Sequence, residues 1–196
     1  MNFFNKLKKK EVILGSSSKR RRQLLKEMGI SFKVVKSKFN EEFSSNIKRI
    51  ETIPLYLAKK KAESLKSLLK KETILITADT IVFKQGMLLG KPKNRLEAIS
   101  SINLLSGSSH KVITGICIKS LEKEVSFSEE TKVYFRSISQ EEIAYYIDKY
   151  HPYDKAGSYG IQEWIGLVGV KNIKGSYHNV VGLPSATLIE RLQDFV

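Results

Sequence analysis

One aspartate stands inside the apolar run ILITADTIVF. A lone carboxylate among β-branched residues is costly to bury. Because those residues continue on both sides of Asp79, a turn fits poorly there. A carboxylate that is paired or bound to a metal is the better reading than an Asp that ends a strand. Lys61 is the second candidate. On a helical wheel of about 100° per residue, Ala58, Ala62, Leu65, Leu68 and Leu69 form an apolar stripe over Leu55 to Leu69. Lys59, Lys60, Lys66 and Lys70 fall outside the stripe, whereas Lys61 falls inside it, between Leu65 and Leu68. A snorkelling stem explains such a lysine. So does a lysine pointed into a cleft, where a phosphate or a carboxylate compensates its charge. The third candidate is the cluster Gly15-Ser16-Ser17-Ser18 followed by Arg20, Arg21 and Arg22. Hydroxyls, backbone N–H groups and guanidinium forks all suit phosphate oxygens. The spacing is neither that of a Walker A loop nor that of a dinucleotide fingerprint.

Weaker features lie further along the chain. Glu41 and Glu42 form an acidic pair in a polar loop, and Lys91 sits in GKP. The segment DKAGSYGIQ mixes charges, small residues and the amide of Gln162, which suits either the polar edge of a base or a turn. Three His and one Cys lie far apart, so no zinc-ligand spacing exists. Nothing resembles a nucleophile elbow.

The elements that must hold these residues follow from local signals. Val12 to Leu14 reads as a short buried strand, with a basic helix from near Lys19 to Gly29. A strand, a small-residue turn and a helix N-terminus together present N–H groups to an anion. Phe32 to Val35 reads as a strand and Lys36 to Thr52 as a loop. A long helix with Pro54 in its first turn runs through LAKKKAESLKSLLKK. The Asp79 strand follows, and Gln85-Gly86 reads as a hairpin turn. Arg95 to Leu105 predicts a helix stopped at Gly107. Strands are expected over Val112 to Ile118, Lys132 to Arg136 and Leu167 to Ile173. Ser139 to Glu142 is a capping box opening a helix through Tyr150, and a last helix spans about Pro184 to Phe195. The alternation implies a mixed α/β or α+β fold.

The size, 196 residues, suits one domain or two lobes around one cleft. No apolar run approaches a membrane span. The start, MNFFNKLKKKEVIL, lacks the apolar core of a signal peptide. One cysteine, Cys117, allows no internal disulfide, which fits a reducing cytoplasm. The net charge is +14, and through Glu27 nine Lys or Arg stand against two Glu. Such charge attracts polyphosphates, nucleic acid or anionic lipid, or simply reflects lysine on solvated faces.

Read together, GSSSKRRRQLL, AKKKA, ITADTIV, GKP, LLSGSSHKVITG, DKAGSYGIQ and GSYHNVVGLP resemble, in order, the motifs of the Maf family of nucleotide pyrophosphatases. The resemblance covers the chain from about Ile13 to its end. Residues 1–11 read as a basic extension and residues 12–196 as a single Maf-like domain. The resemblance implies an elongated mixed α/β fold, a central mixed sheet flanked by helices with two lobes around a cleft, similar to the inosine triphosphate pyrophosphatases. It implies cleavage of a nucleoside triphosphate to the monophosphate and pyrophosphate with a divalent cation, Mg2+ or Mn2+. By motif position, Asp79 is similar to the general base and metal ligand, and Glu41 to the residue that assists metal binding. Lys61 and Lys91 are similar to the lysines that hold phosphates, and Ser16 and Arg21 to part of the phosphate-binding turn. Arg20, Thr80 and Gln162 fall where the family sets base preference, and they resemble the dTTP/UTP type. Members acting on 7-methyl-GTP instead tend to carry Trp in the first motif and Gln after the Asp. Two positions depart from the family pattern: Lys19 stands where Pro is usual, and Asn40 where an acidic residue is frequent. A homodimer is common in such families. The alternatives are a 7-methyl-GTP or modified-pyrimidine enzyme, or a septum-formation regulator that binds nucleic acid. Intact polar groups at the catalytic positions argue against the last.

Overall fold

Val12, Ile13 and Leu14 are all buried, so this stretch needs cover on both faces. It forms the first strand, β1 (Glu11–Leu14), of a mixed sheet in a computed structural model that describes residues 2–37, 39 and 49–196. Strands run in the order β2-β1-β3-β5-β6-β7, with β4 paired to β3. β1 is parallel both to β2 (Lys33–Val34) and to β3 (Thr73–Lys84), in the register Ile13↔Lys33 and Ile13↔Leu75. β3 turns back into β4 (Met87–Leu89) through Gln85 and Gly86, whose φ values of 48° and 82° are those of the turn expected there. β5 (Ser109–Lys119) and β6 (Glu124–Phe135) follow, and β7 (Val170–Lys174) is antiparallel to β6.

The helices are α1 (Phe3–Leu7), α2 (Lys19–Glu27), α3 (Ile53–Ser64), α4 (Arg95–Leu105), α5 (Gln140–Tyr150), α6 (Trp164–Gly169), α7 (Tyr177–Val181) and α8 (Ser185–Phe195). Among the described residues none is long and apolar enough to cross a membrane. The chain forms two compact units. The first comprises Met1–Asp79, Thr114–Glu129 and Gly182–Val196, and the second Thr80–Ile113 and Glu130–Val181.

Four expectations need correction. The long helix stops at Ser64 rather than running on through Lys71. Leu65 leaves helical geometry (φ −111°), and a 3-10 turn over Lys66–Leu68 follows. Leu65 still reaches the core beside Ala58 and Ala62, with Leu68 and Leu69 packed against that cluster. The strand expected over Leu167 to Ile173 is instead the end of α6 and then β7, a short apolar run whose period could not separate helix from strand. β6 begins at Glu124, eight residues before the expected Lys132, because its first half is only partly buried and its alternation is weak. α1 and α7 were not expected at all; each is one short turn of helix, below the length at which periodicity shows. Most of the Lys36 to Thr52 segment lies outside the described residues.

In the first unit, α3 is seated by two features of the strands beneath it. A Cβ at Gly115 of β5 would come within 2.3 Å of the backbone of Pro54 and Leu55, so only glycine lets the helix backbone touch the strand. The Thr77 hydroxyl of β3 donates to the carbonyl oxygen of Ala58 at 2.6 Å. Ile13, Leu75, Ala58, Ala62, Leu65 and Cys117 fill the space between.

Candidate active site

Side chains two apart on a strand share a face, and side chains three apart on a helix share a side. Thr77 bonds to Ala58, so the next position on that face of β3, Asp79, meets the next position on that side of α3, Lys61. The Lys61 ammonium donates to Asp79 Oδ1 at 2.6 Å, with both residues at 8% exposure. The carboxylate inside the apolar run is therefore paired. The lysine inside the apolar stripe is its partner. Two charges this far from water hold one another's desolvation in check, and removal of either leaves the other exposed to that penalty.

The serine turn converges on the same stretch of β3. Ser18 caps α2, its side chain accepting from the Arg21 N–H. The Arg21 guanidinium is buried and bridges several segments. Nη1 donates to the Ala78 carbonyl at 2.9 Å and to Ser16 Oγ at 3.2 Å, and Nε donates to the Gly182 carbonyl at 2.8 Å. Arg21 thus braces the backbone next to Asp79, the serine turn and the start of the last segment. Gly15 makes the close turn possible, since a Cβ there would lie 2.6 Å from the Thr77 methyl. The first unit therefore brings together Ser16, Arg21, Lys61 and Asp79, with Arg20 half-exposed on α2. Such a constellation, two cations and a carboxylate around a serine-rich turn, suits an anionic substrate attacked by water.

Thr80, Lys91 and Gln162 belong to the second unit. Thr80 follows Asp79 on β3, so its side chain faces the opposite side of the strand. Lys91 is exposed in the loop after β4, a loop tied to the DKAGSYGIQ segment by the Gly157 N–H on the Gly90 carbonyl at 3.1 Å. Gln162 is exposed in a turn. Glu41 and Glu42 lie outside the described residues. Sequence reasoning missed Thr77 and Gly115 as the residues that set α3 in register with Asp79. The signals were present: a threonine two residues before Asp79, and a glycine inside a strand.

The family model described as Maf-like protein matches residues 11–195. The chain belongs to the Maf family. It is 50% identical over 190 residues to a protein of Parabacteroides distasonis named dTTP/UTP pyrophosphatase, covering 96% of this chain and 98% of that one. A Porphyromonas gingivalis protein of the same name is 45% identical over 192 residues, covering 96% of each. Among solved structures, the Staphylococcus aureus Ham1 protein aligns at a TM-score of 0.44 and 15% identity, over 64% of this chain and 72% of that one. In this Maf protein the first, second and third motifs, GSSSKRRRQLL, AKKKA and ITADTIV, supply the buried network of the first unit. GKP and DKAGSYGIQ lie in the second.

Two buried titratable groups away from that network, His110 and Cys117, are silenced by packing. Burial, with the charge of Lys84, holds the His110 imidazole down at about 3. Burial, with the charge of Glu124, pushes the Cys117 thiol up to about 12. Neither residue of this Maf protein exchanges a proton near neutrality.

Proposed function

We propose that this Maf protein hydrolyses dTTP and UTP to the monophosphate and pyrophosphate. The observation that carries the reading is the buried Lys61–Asp79 pair at 2.6 Å, set beside a braced serine turn. The names of the relatives support the substrate class. Water attacks the α-phosphorus, the bond to the bridging oxygen breaks, and pyrophosphate leaves. Asp79 takes the proton from the water. Lys61 and Lys91 offset the charge of the phosphates. Ser16 and Arg21 hold the turn that cradles the phosphates. Arg20, Thr80 and Gln162 discriminate the base.

Among the described residues no three His, Cys, Asp or Glu cluster as a ready-made metal cage. A Mg2+ or Mn2+ usually needs only one or two protein carboxylates together with substrate phosphates. Asp79, with Glu41, would hold it. When bound, such a cation lowers the pKa of the attacking water and neutralises charge on the phosphates. The small-molecule chemistry of the site is in keeping with a cytoplasmic, nucleotide-pool enzyme, and the oligomer expected of such a family is a homodimer.

Pyrophosphate release from dTTP, UTP, CTP, GTP and 7-methyl-GTP, with magnesium or manganese, tests the reading. Turnover of dTTP and UTP above the rest is expected; a blank panel from folded protein would sink it. Asp79→Asn should lower kcat/KM by about a thousandfold. Near-normal turnover of that variant under saturating metal would remove the general-base role.

A further inference from the structure

A second buried polar network surrounds the turn that carries Gln162. Residues 160–163 form a β-turn closed by the Glu163 N–H on the Gly160 carbonyl at 3.0 Å, with buried Ile161 and exposed Gln162 at its centre. Both ends of this turn meet one group. The hydroxyl of Tyr146, fully buried on α5, accepts from the Gly160 N–H at 2.9 Å and donates to Glu163 Oε2. The other Glu163 oxygen pairs with Lys155 at 2.9 Å, and Lys155, itself buried, also pairs with Asp154 at 2.7 Å.

The glycines on either side let the turn pack closely against this clamp. A Cβ at Gly160 would lie 2.7 Å from Glu163 Oε2, and one at Gly166 would lie 1.9 Å from the Ile161 carbonyl oxygen. The Gly166 N–H donates to the Glu163 carbonyl at 2.9 Å, so α6 holds the turn from its far side. Burial and the bond to Glu163 raise the ionisation of Tyr146 well above that of an ordinary phenol, which keeps the hydroxyl a donor.

Lys155 is buried and Glu163 half-buried, and such an ion pair is poor value for stability alone, since apolar groups of the same shape often serve as well. This one fixes the backbone of a single exposed turn. We propose that Tyr146, Glu163 and Lys155 are positioning residues that lock the Gly160–Glu163 turn and so aim Gln162 at the nucleobase. The proposal rests on the reading of Gln162 as a base-discriminating residue. A locked turn gives up little conformational freedom on binding, so the amide's hydrogen bond to a base is realised as affinity.

Steady-state kinetics with UTP test this on Tyr146→Phe, Gln162→Ala and the double variant, with melting temperatures measured alongside. Tyr146→Phe should raise KM about tenfold, the worth of one hydrogen bond, with kcat changed less than about twofold. In the Gln162→Ala background it should add almost nothing, because the clamp acts through the residue already removed. If Gln162→Ala raises KM and Tyr146→Phe does not, the clamp is overturned and the reading of Gln162 stands. If Gln162→Ala leaves KM unchanged, the reading of Gln162 falls and the positioning role falls with it. Additive effects with a lowered melting temperature would make the network structural and overturn the proposal. Should Tyr146→Phe not fold, Glu163→Gln carries the same comparison.

Discussion

In the first unit, the buried charges link segments from across the chain. Arg21 reaches the Gly182 carbonyl 161 residues away, and Lys61 and Asp79 pair between a helix and a strand. In the second unit, the Tyr146, Glu163 and Lys155 network joins α5 to one short stretch and closes on the backbone of a single turn. The first network gathers charges of the kind that phosphate chemistry needs. The second uses charge to hold a shape. Burial perturbs His110, Tyr146 and Tyr159 in the second unit and Cys117 in the first, none of them part of the Asp79 network. For these groups a large shift records packing, and the chemistry is placed by the company that Asp79 keeps.

Breaking one pair in each unit tests the contrast most severely. Lys61→Met leaves the Asp79 carboxylate buried without its counter-charge, which should cost about 3–5 kcal/mol in a denaturant titration. Lys155→Met leaves Glu163 still accepting from Tyr146, and Asp154 is largely exposed, so the expected cost is about 1.5–3 kcal/mol. The double variant Lys61→Met with Asp79→Leu should recover much of the stability while activity stays lost. If Lys155→Met proves the more damaging substitution for both stability and turnover, the contrast between the units is reversed.

The legibility of the two networks differs for a related reason. Lys61 stood out because a helix imposes a period, and a lysine out of phase with its polar neighbours is visible on a wheel. Asp79 stood out because a strand imposes its own composition. The Ser139 capping box, the Gln85-Gly86 turn and the Arg95–Leu105 helix were equally plain, each written in one local stretch of sequence. Lys155 and Glu163 offered no such contrast. In a polar stretch without a period, a buried charge looks like a solvated one until α5 is packed against it. Arg21 was legible as a basic residue in a turn, but its bonds to Ala78 and Gly182 depend on strand order, which no local pattern contains.

The next prediction concerns pH. His110 is held neutral in the fold at about 3 and titrates near 6.5 when exposed. Between those values the unfolded chain binds the extra proton, so stability rises with pH. The contribution is complete above about 6.5 and is lost as pH falls toward 3. Its limiting slope is about 1.4 kcal/mol per pH unit. Denaturant midpoints between pH 5 and 6.5 isolate it, because ordinary carboxylates titrate lower. His110→Gln, whose amide can still meet the Tyr159 hydroxyl, should flatten that limb. An unchanged slope would mean that His110 takes up its proton without leaving the fold.

The smallest effect separates the stability of the second unit from the job assigned to its clamp. Ser139 Oγ accepts from the Glu142 N–H at 3.2 Å, and the Glu142 carboxylate reaches back to the Ser139 N–H at 2.9 Å. Ser139→Ala removes the first of these bonds and leaves the second, which Arg136 also steadies at 2.6 Å. A cost of about 0.5–1 kcal/mol is expected, toward the low end for a lost N-cap. Ser139 opens α5, and Tyr146 lies two turns further on, beyond the reach of end fraying in a helix anchored by buried Ile143 and Ile147. The melting temperature should therefore fall while KM for UTP stays within about twofold. Tyr146→Phe should do the opposite, moving KM more than its stability cost would suggest. If KM tracks stability in both variants alike, the turn at Gln162 responds to the overall firmness of the unit. The clamp then has no function separable from the fold that holds it.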